Sequence, residues 1–178
     1  MKRSVLLLFV LAVPAHISAQ AHHSPYGEYQ NRGIKALSDD DVKAYLAGQG
    51  MGLALAAELN RYPGPLHVLE MAKQLYLTAS QKAETEKARS AMLKKATELG
   101  KSIVEREREL DGLFARGEIA EGRLRALVEE IARLQGELRI THLQAHLEMK
   151  RILTLEQHRI YGHLRGYDKE AEMEHEGH

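Results

Sequence analysis

The chain has 178 residues, no cysteine, and equal numbers of basic and acidic side chains, 25 of each. A chain of this length can bury the core of one domain, and without cysteine that core depends on packing rather than on disulfides. The balanced charge provides no basic surface for phosphate groups, which argues against a nucleic-acid-binding protein.

Residues 1–21 have the pattern of a secretory signal peptide. Two basic residues near the start precede an apolar segment over 5–13, and small residues lead to cleavage positions after Ala19 or Ala21. The apolar segment is well short of the ~20 residues that a membrane-spanning helix needs. We therefore expect an exported protein that is not an integral membrane protein.

The part that follows the signal peptide is predicted to begin with an irregular arm and short helices. Residues 22–37 contain proline and glycine and should form the arm. Ser38 is a suitable helix cap, since three aspartates follow it where the helix dipole favours negative charge. Glycines then interrupt this helix, and two further short helices are predicted over 53–59 and 66–77.

Two long helices and a short one should complete the fold, over about 79–115, 120–152 and 155–164. Apolar residues advance by threes and fours along both long helices, which is the helical period. In the first they are Met92, Ala96, Leu99, Ile103, Leu110 and Phe114. In the second they are Leu127, Ile131, Leu134, Leu138, His142, Ala145 and Met149. The acidic, histidine-containing tail over 168–178 is predicted to be disordered.

One short phrase, Leu-Thr-x-x-Gln, occurs twice, at Leu77, Thr78 and Gln81 and again at Leu153, Thr154 and Gln157. A threonine followed three residues later by glutamine is a capping box. The hydroxyl accepts from a backbone N–H of the first turn, and the glutamine side chain reaches back to the N–H of the cap. The repetition predicts a duplicated corner between helices.

These two segments make the chain resemble the LTxxQ family of bacterial periplasmic proteins, over about residues 34–167. The family includes Spy/CpxP-like chaperones and CnrX/ZraP-like heavy-metal sensor and resistance proteins. The resemblance implies a periplasmic location and a helical dimer. Its implied partners are unfolded client proteins, or a sensor kinase or anti-sigma partner.

The predicted fold is all-α: an elongated antiparallel helical hairpin with short N-terminal helices and a short C-terminal helix, forming one domain over 38–167. The second long helix also carries another apolar row, on the side of the helix opposite to its main stripe. This row consists of Ile140, Leu143 and Leu147. A helix that is apolar on two sides needs two partners. The second partner is expected to be the N-terminal helices or the other subunit of a homodimer.

A metal site is predicted where imidazoles recur at helical spacing. His142 and His146 lie one turn apart, so both can reach one ion, and Met149 continues their face. His67, Glu70 and Met71 share one face of the helix that precedes the first corner. The set would suit copper, zinc or nickel. Alternatively, His142 is a core histidine on the apolar stripe and His146 lies on its exposed flank.

The N-terminus of the processed chain is a second candidate metal site. Cleavage after Ala19 places His22 third, where the amine, backbone amides and imidazole chelate Cu²⁺ or Ni²⁺. Cleavage after Ala21 places His22 first, where the amine and the ring can clamp copper. His22 and His23 can instead join His175 and His178 in binding zinc loosely, or have no role.

Motifs of enzymes are missing from the sequence, which has no cysteine nucleophile, Gly-x-Ser-x-Gly elbow, His-Glu-x-x-His or Walker loop. We therefore expect no catalysis and no required cofactor. The first functional hypothesis is a periplasmic, ATP-independent chaperone or envelope-stress protein of the Spy/CpxP type. The alternative is a periplasmic copper, zinc or nickel sensor or resistance protein of the CnrX/ZraP type.

Overall fold

A computed structural model describes residues 24–167 of the chain. The predicted signal peptide, His22, His23 and the tail over 168–178 lie outside the described residues. A 3₁₀ turn at Gly27–Asn31 precedes the first α-helix. The α-helices are α1 (Asp39–Leu46), α2 (Leu55–Glu58), α3 (Pro65–Glu70), α4 (Ala79–Ala115), α5 (Glu121–Ile152) and α6 (Leu155–Leu164).

The predicted all-α hairpin is confirmed. Helices α4 and α5 pack along each other, and the described residues contain no strand beyond a single bridge between Ile34 and Leu37. The seven residues predicted to form the apolar stripe of α5 are all buried. The apolar stripe predicted for α4 ended at Phe114. In the structure Phe114, next to the helix end, is 54 % exposed, so the buried part of the stripe is shorter than predicted.

Helix boundaries follow the caps where the sequence contains them. Ser38, Thr78 and Thr154 each cap a helix through a complete capping box, with Asp41, Gln81 and Gln157 as the reciprocal partners. The helix predicted over 66–77 is shorter than expected and ends at Glu70. Turns follow it, and Tyr76 has a φ of 51°, which a right-handed helix cannot contain.

The N-terminal segment packs against the half of α4 that is nearer the turn between α4 and α5. Ile34 and Leu37, from the predicted irregular arm, are buried together with Val104 of α4. Helix α1 crosses α4 where Tyr45 meets Gly100. Helices α2 and α3 lie nearer the opposite end, where both contact α5. Within residues 24–167, no helix combines the length and apolar character needed to cross a membrane.

Candidate functional site

The two Leu-Thr-x-x-Gln corners meet through their glutamines. The side-chain amides of Gln81 and Gln157 bond each other in both directions, at 2.8 and 2.9 Å. The second N–H of Gln81 donates to the Ile152 carbonyl, and that of Gln157 donates to the Leu75 carbonyl. Each glutamine oxygen also accepts from the backbone N–H of its own threonine cap.

This amide pair fastens the end of α5 to the segment between α3 and α4. Each amide uses both N–H groups as donors and its oxygen twice as an acceptor, so the pair is fully satisfied. Below it lies a buried apolar cluster formed by Val68, Leu75, Met149, Leu153 and Tyr161. The predicted corners are therefore one joint at one end of the hairpin.

A cavity of about 590 Å³ lies beside this joint, between α5, α4 and the short N-terminal helices. Three of the predicted metal ligands, His67, His142 and His146, line it together with Glu58 and Met92. Histidines that are 75 residues or more apart in the chain thus face a common space.

Glu58, at the end of α2, is a buried carboxylate with two unlike oxygens. Its side chain is only 10 % exposed. Oε1 accepts from the hydroxyl of Tyr161 at 2.6 Å, from the hydroxyl of Tyr167 at 2.8 Å and from Nε of Arg165 at 3.2 Å. Oε2 is buried and has no hydrogen-bond partner among the described residues.

The two histidines of α5 are both buried, so neither lies on an exposed flank. Nδ1 of His146 is 2.7 Å from the Tyr62 carbonyl, to which it must donate, so the lone pair of the neutral ring is on Nε2. The same Nδ1 is 3.7 Å from Oε2 of Glu58. In His142, Nε2 is buried and unpartnered within the described part of the chain. Burial first, and then the nearby His146, lowers the pKa of His142.

Gly64 lies between His146 and Glu58. A Cβ at this position would be 3.1 Å from Cε1 of His146, 3.4 Å from its Nε2 and 3.5 Å from Oε2 of Glu58. A side chain here would therefore compete for the space that these two groups share, and glycine keeps that space open.

The other predicted ligands lie elsewhere. Met149 belongs to the apolar cluster below the glutamines, and Met71 packs against that cluster. The reason is that one face of α5 passes from the cavity to the core within two turns. Glu70 is largely exposed and bonds Nδ1 of His67 at 3.1 Å. Across residues 24–167, no three acidic or histidine side chains already converge as a metal site.

Sequence reasoning missed Glu58 and the side chains that hold it. The available signal was a lone acidic residue in the apolar segment 53–59, since a carboxylate in such a segment is either exposed or specifically paired. Its partners Tyr161, Arg165 and Tyr167 are more than 100 residues away, with separations of 103, 107 and 109. No local pattern connects them.

The fold and the joined corners define an all-α helical-hairpin protein whose two threonine–glutamine caps meet at one end. The model of the LTXXQ motif family matches residues 66–164, more than half of the chain. The chain belongs to this family. No curated protein and no solved structure matches it.

Proposed function

We propose that this LTxxQ protein is a periplasmic metal-binding protein, with a sensor or resistance role, that takes up a late divalent transition metal in the cavity beside the corners. The observation that carries the proposal is that Glu58 and His142 both line that cavity and each has a buried atom, Oε2 and Nε2 respectively, without a hydrogen-bond partner among the described residues. Its action is binding and release, without catalysis.

Buried polar atoms without partners are rare because each forfeits its hydrogen bond to water. Two residues with such atoms line one cavity, which supports the proposal of a ligand-binding site there. A carboxylate oxygen and imidazole nitrogens are the donors that Zn²⁺, Ni²⁺ and Cu²⁺ prefer. The proposed ligands are Glu58 Oε2, His142 Nε2 and His146 Nε2, whose side chains would have to rearrange to converge on one ion, since the described residues contain no preformed group. The thioether of Met92 would add a ligand for copper.

The test is metal binding by the exported, processed protein. Zinc, nickel and copper titrations of the wild type should give one site, and His142→Ala/His146→Ala should remove it. His163→Ala is the matched control, because His163 is an exposed histidine of α6. A His22→Ala/His23→Ala variant separates any contribution of the N-terminus. Unchanged stoichiometry and affinity in the α5 double variant contradict the proposal.

A chaperone role is the second candidate, and a specific observation favours it. Large apolar side chains that are at least 41 % exposed are concentrated between residues 46 and 66, namely Leu46, Met51, Leu55, Leu59 and Leu66. An exposed apolar surface on short helices suits weak, reversible binding of unfolded chains. Met51, Leu55 and Leu66 also line the metal cavity, so one end of the molecule would serve both roles.

The test of this second role is whether the protein slows the aggregation of an unfolded client. Leu55→Ser/Leu59→Ser should weaken the protection given by the metal-free protein. Val128→Ser, an exposed apolar position on α5, should leave it unchanged. Equal protection by all three proteins would exclude this surface as the client site.

A further inference from the structure

The environment of Glu58 makes its carboxylate a ligand with one available oxygen. An ionised carboxylate oxygen has about two lone-pair positions. Oε1 already receives three donors, from Tyr161, Tyr167 and Arg165. Oε2 receives none from the described residues, and Glu58 is one of the residues that line the cavity.

The three donors are held by the fold rather than by Glu58 alone. Tyr161 is fully buried in the apolar cluster below the glutamines, and its hydroxyl accepts from the backbone N–H of Gly64 at 3.5 Å. Arg165 and Tyr167 follow directly after α6, whose start is fixed by the Thr154 capping box.

We propose that Tyr161, Tyr167 and Arg165 are positioning residues that keep Glu58 monodentate and thereby select nitrogen-preferring transition-metal cations over Ca²⁺. The inference rests on the proposed metal-binding function. Calcium takes six to eight oxygen ligands and commonly uses both oxygens of a carboxylate. Zinc-type ions accept four ligands, with imidazole nitrogen and a single carboxylate oxygen among them.

The experiment uses Co²⁺ as a spectroscopic probe in the full processed chain. Four-coordinate Co²⁺ absorbs visible light strongly, and ions with more ligands absorb weakly. The test variants are Tyr167→Phe and Tyr161→Phe/Tyr167→Phe, which remove hydroxyls but keep the rings. Tyr26→Phe is the control, since Tyr26 is 67 % exposed and far along the chain from α6. Tyr167→Phe alone serves if the double variant folds poorly.

In the wild type and Tyr26→Phe, we expect strong cobalt bands that a large excess of Ca²⁺ does not reduce. In the double variant the cobalt bands should weaken and Ca²⁺ should compete with Co²⁺. The Zn²⁺ affinity should fall about 10- to 100-fold, as is typical when a side chain that hydrogen-bonds to a metal ligand is removed. Wild-type bands and selectivity in both tyrosine variants would overturn the positioning role and leave the metal site standing. A wild type that binds neither Co²⁺ nor Zn²⁺ would overturn both proposals.

Discussion

At the scale of single residues, polar side chains join parts of the chain that are far apart in sequence. Gln157 is buried and bonds Gln81, 76 residues away, and the carbonyl of Leu75, 82 residues away. A capping box alone would require only contacts within the first helical turn. The oxygen of each glutamine serves its own cap, and both of its amide N–H groups make the long-range contacts.

Replacing Gln157 with alanine should cost about 2–4 kcal/mol of unfolding free energy. The change removes hydrogen bonds worth about 1 kcal/mol each and leaves buried backbone groups unpaired. Urea unfolding followed by circular dichroism measures the loss. Gln144→Ala, at an exposed position of α5, should change stability by less than about 0.5 kcal/mol. A double-mutant cycle with Gln81→Ala should show coupling, and strictly additive losses would contradict the paired amides.

The stability of the protein should fall on mild acidification partly because of His158. Its Nε2 lies 3.3 Å from the Lys150 carbonyl and its Nδ1 is buried and unpartnered among the described residues. Burial is the main reason why the pKa of His158 is lowered. The unfolded chain therefore binds a proton near pH 6.5, where the folded protein does not, and stability decreases as pH falls below that value.

One such proton contributes a slope of at most about 1.4 kcal/mol per pH unit. His158→Gln keeps an N–H donor for the Lys150 carbonyl but cannot titrate, so its stability should depend less on pH between 7 and 5. Urea midpoints across that range are the measurement, with the exposed His163→Gln as control. Parallel curves for wild type and His158→Gln would show that this ring is not responsible.

At the scale of elements, the close approach of α1 and α4 depends on one glycine. A Cβ at Gly100 would lie 2.0 Å from the carbonyl oxygen of Tyr45 and 2.7 Å from its carbon. These are backbone atoms, so the contact cannot be relieved by a rotamer change. Helix α1 can cross α4 at this depth only because position 100 has no side chain.

Gly100→Ala should therefore destabilise the protein by at least about 2 kcal/mol, since overpacking forces the backbone to shift. Gly136→Ala is the matched control within a long helix, because nothing described lies within 4 Å of a Cβ there. That control should gain up to about 1 kcal/mol from alanine's helix propensity. Thermal unfolding compares the two, and equal effects would exclude the steric explanation.

At the scale of the whole molecule, the hairpin is long, and its joint and cavity lie at one end. Helix α4 has 37 residues, which corresponds to about 55 Å. The amide pair, the apolar cluster and Glu58 lie where α5 ends and α6 begins. The turn between α4 and α5 lies far from them. Binding functions are therefore expected at the end where the corners meet.

The apolar row on α5 predicts a homodimer. Ile140 is 53 % exposed and Leu147 is 59 % exposed, so the short helices of the described chain do not cover them. Ile140→Lys/Leu147→Lys should convert a dimer to a monomer in light scattering after gel filtration, with helical circular dichroism unchanged. Val128→Lys, an exposed apolar position elsewhere on α5, should keep the dimer. A wild type that is monomeric at high concentration would contradict the prediction.

Much of the site was predictable only as separate parts. His142 and His146, predicted to share one helix face, both line the cavity, and His67 lines it as well. Met149 has the same helical spacing, yet it lies in the apolar cluster. Periodicity identifies the face of a helix but does not say what covers that face at each turn.

The sequence by itself determined the local structure: the two threonine capping boxes, the Ser38 cap, the bounds of the long helices and the buried stripe of α5. These follow from hydrogen bonds and periodicities that extend over a few residues, so their signals are contained in short segments. Only the tertiary structure decided that Gln81 meets Gln157 and that Glu58 lies against Tyr161 and Arg165. Those partners are 76 to 107 residues apart, and their pairing depends on how whole helices pack, which no short segment encodes.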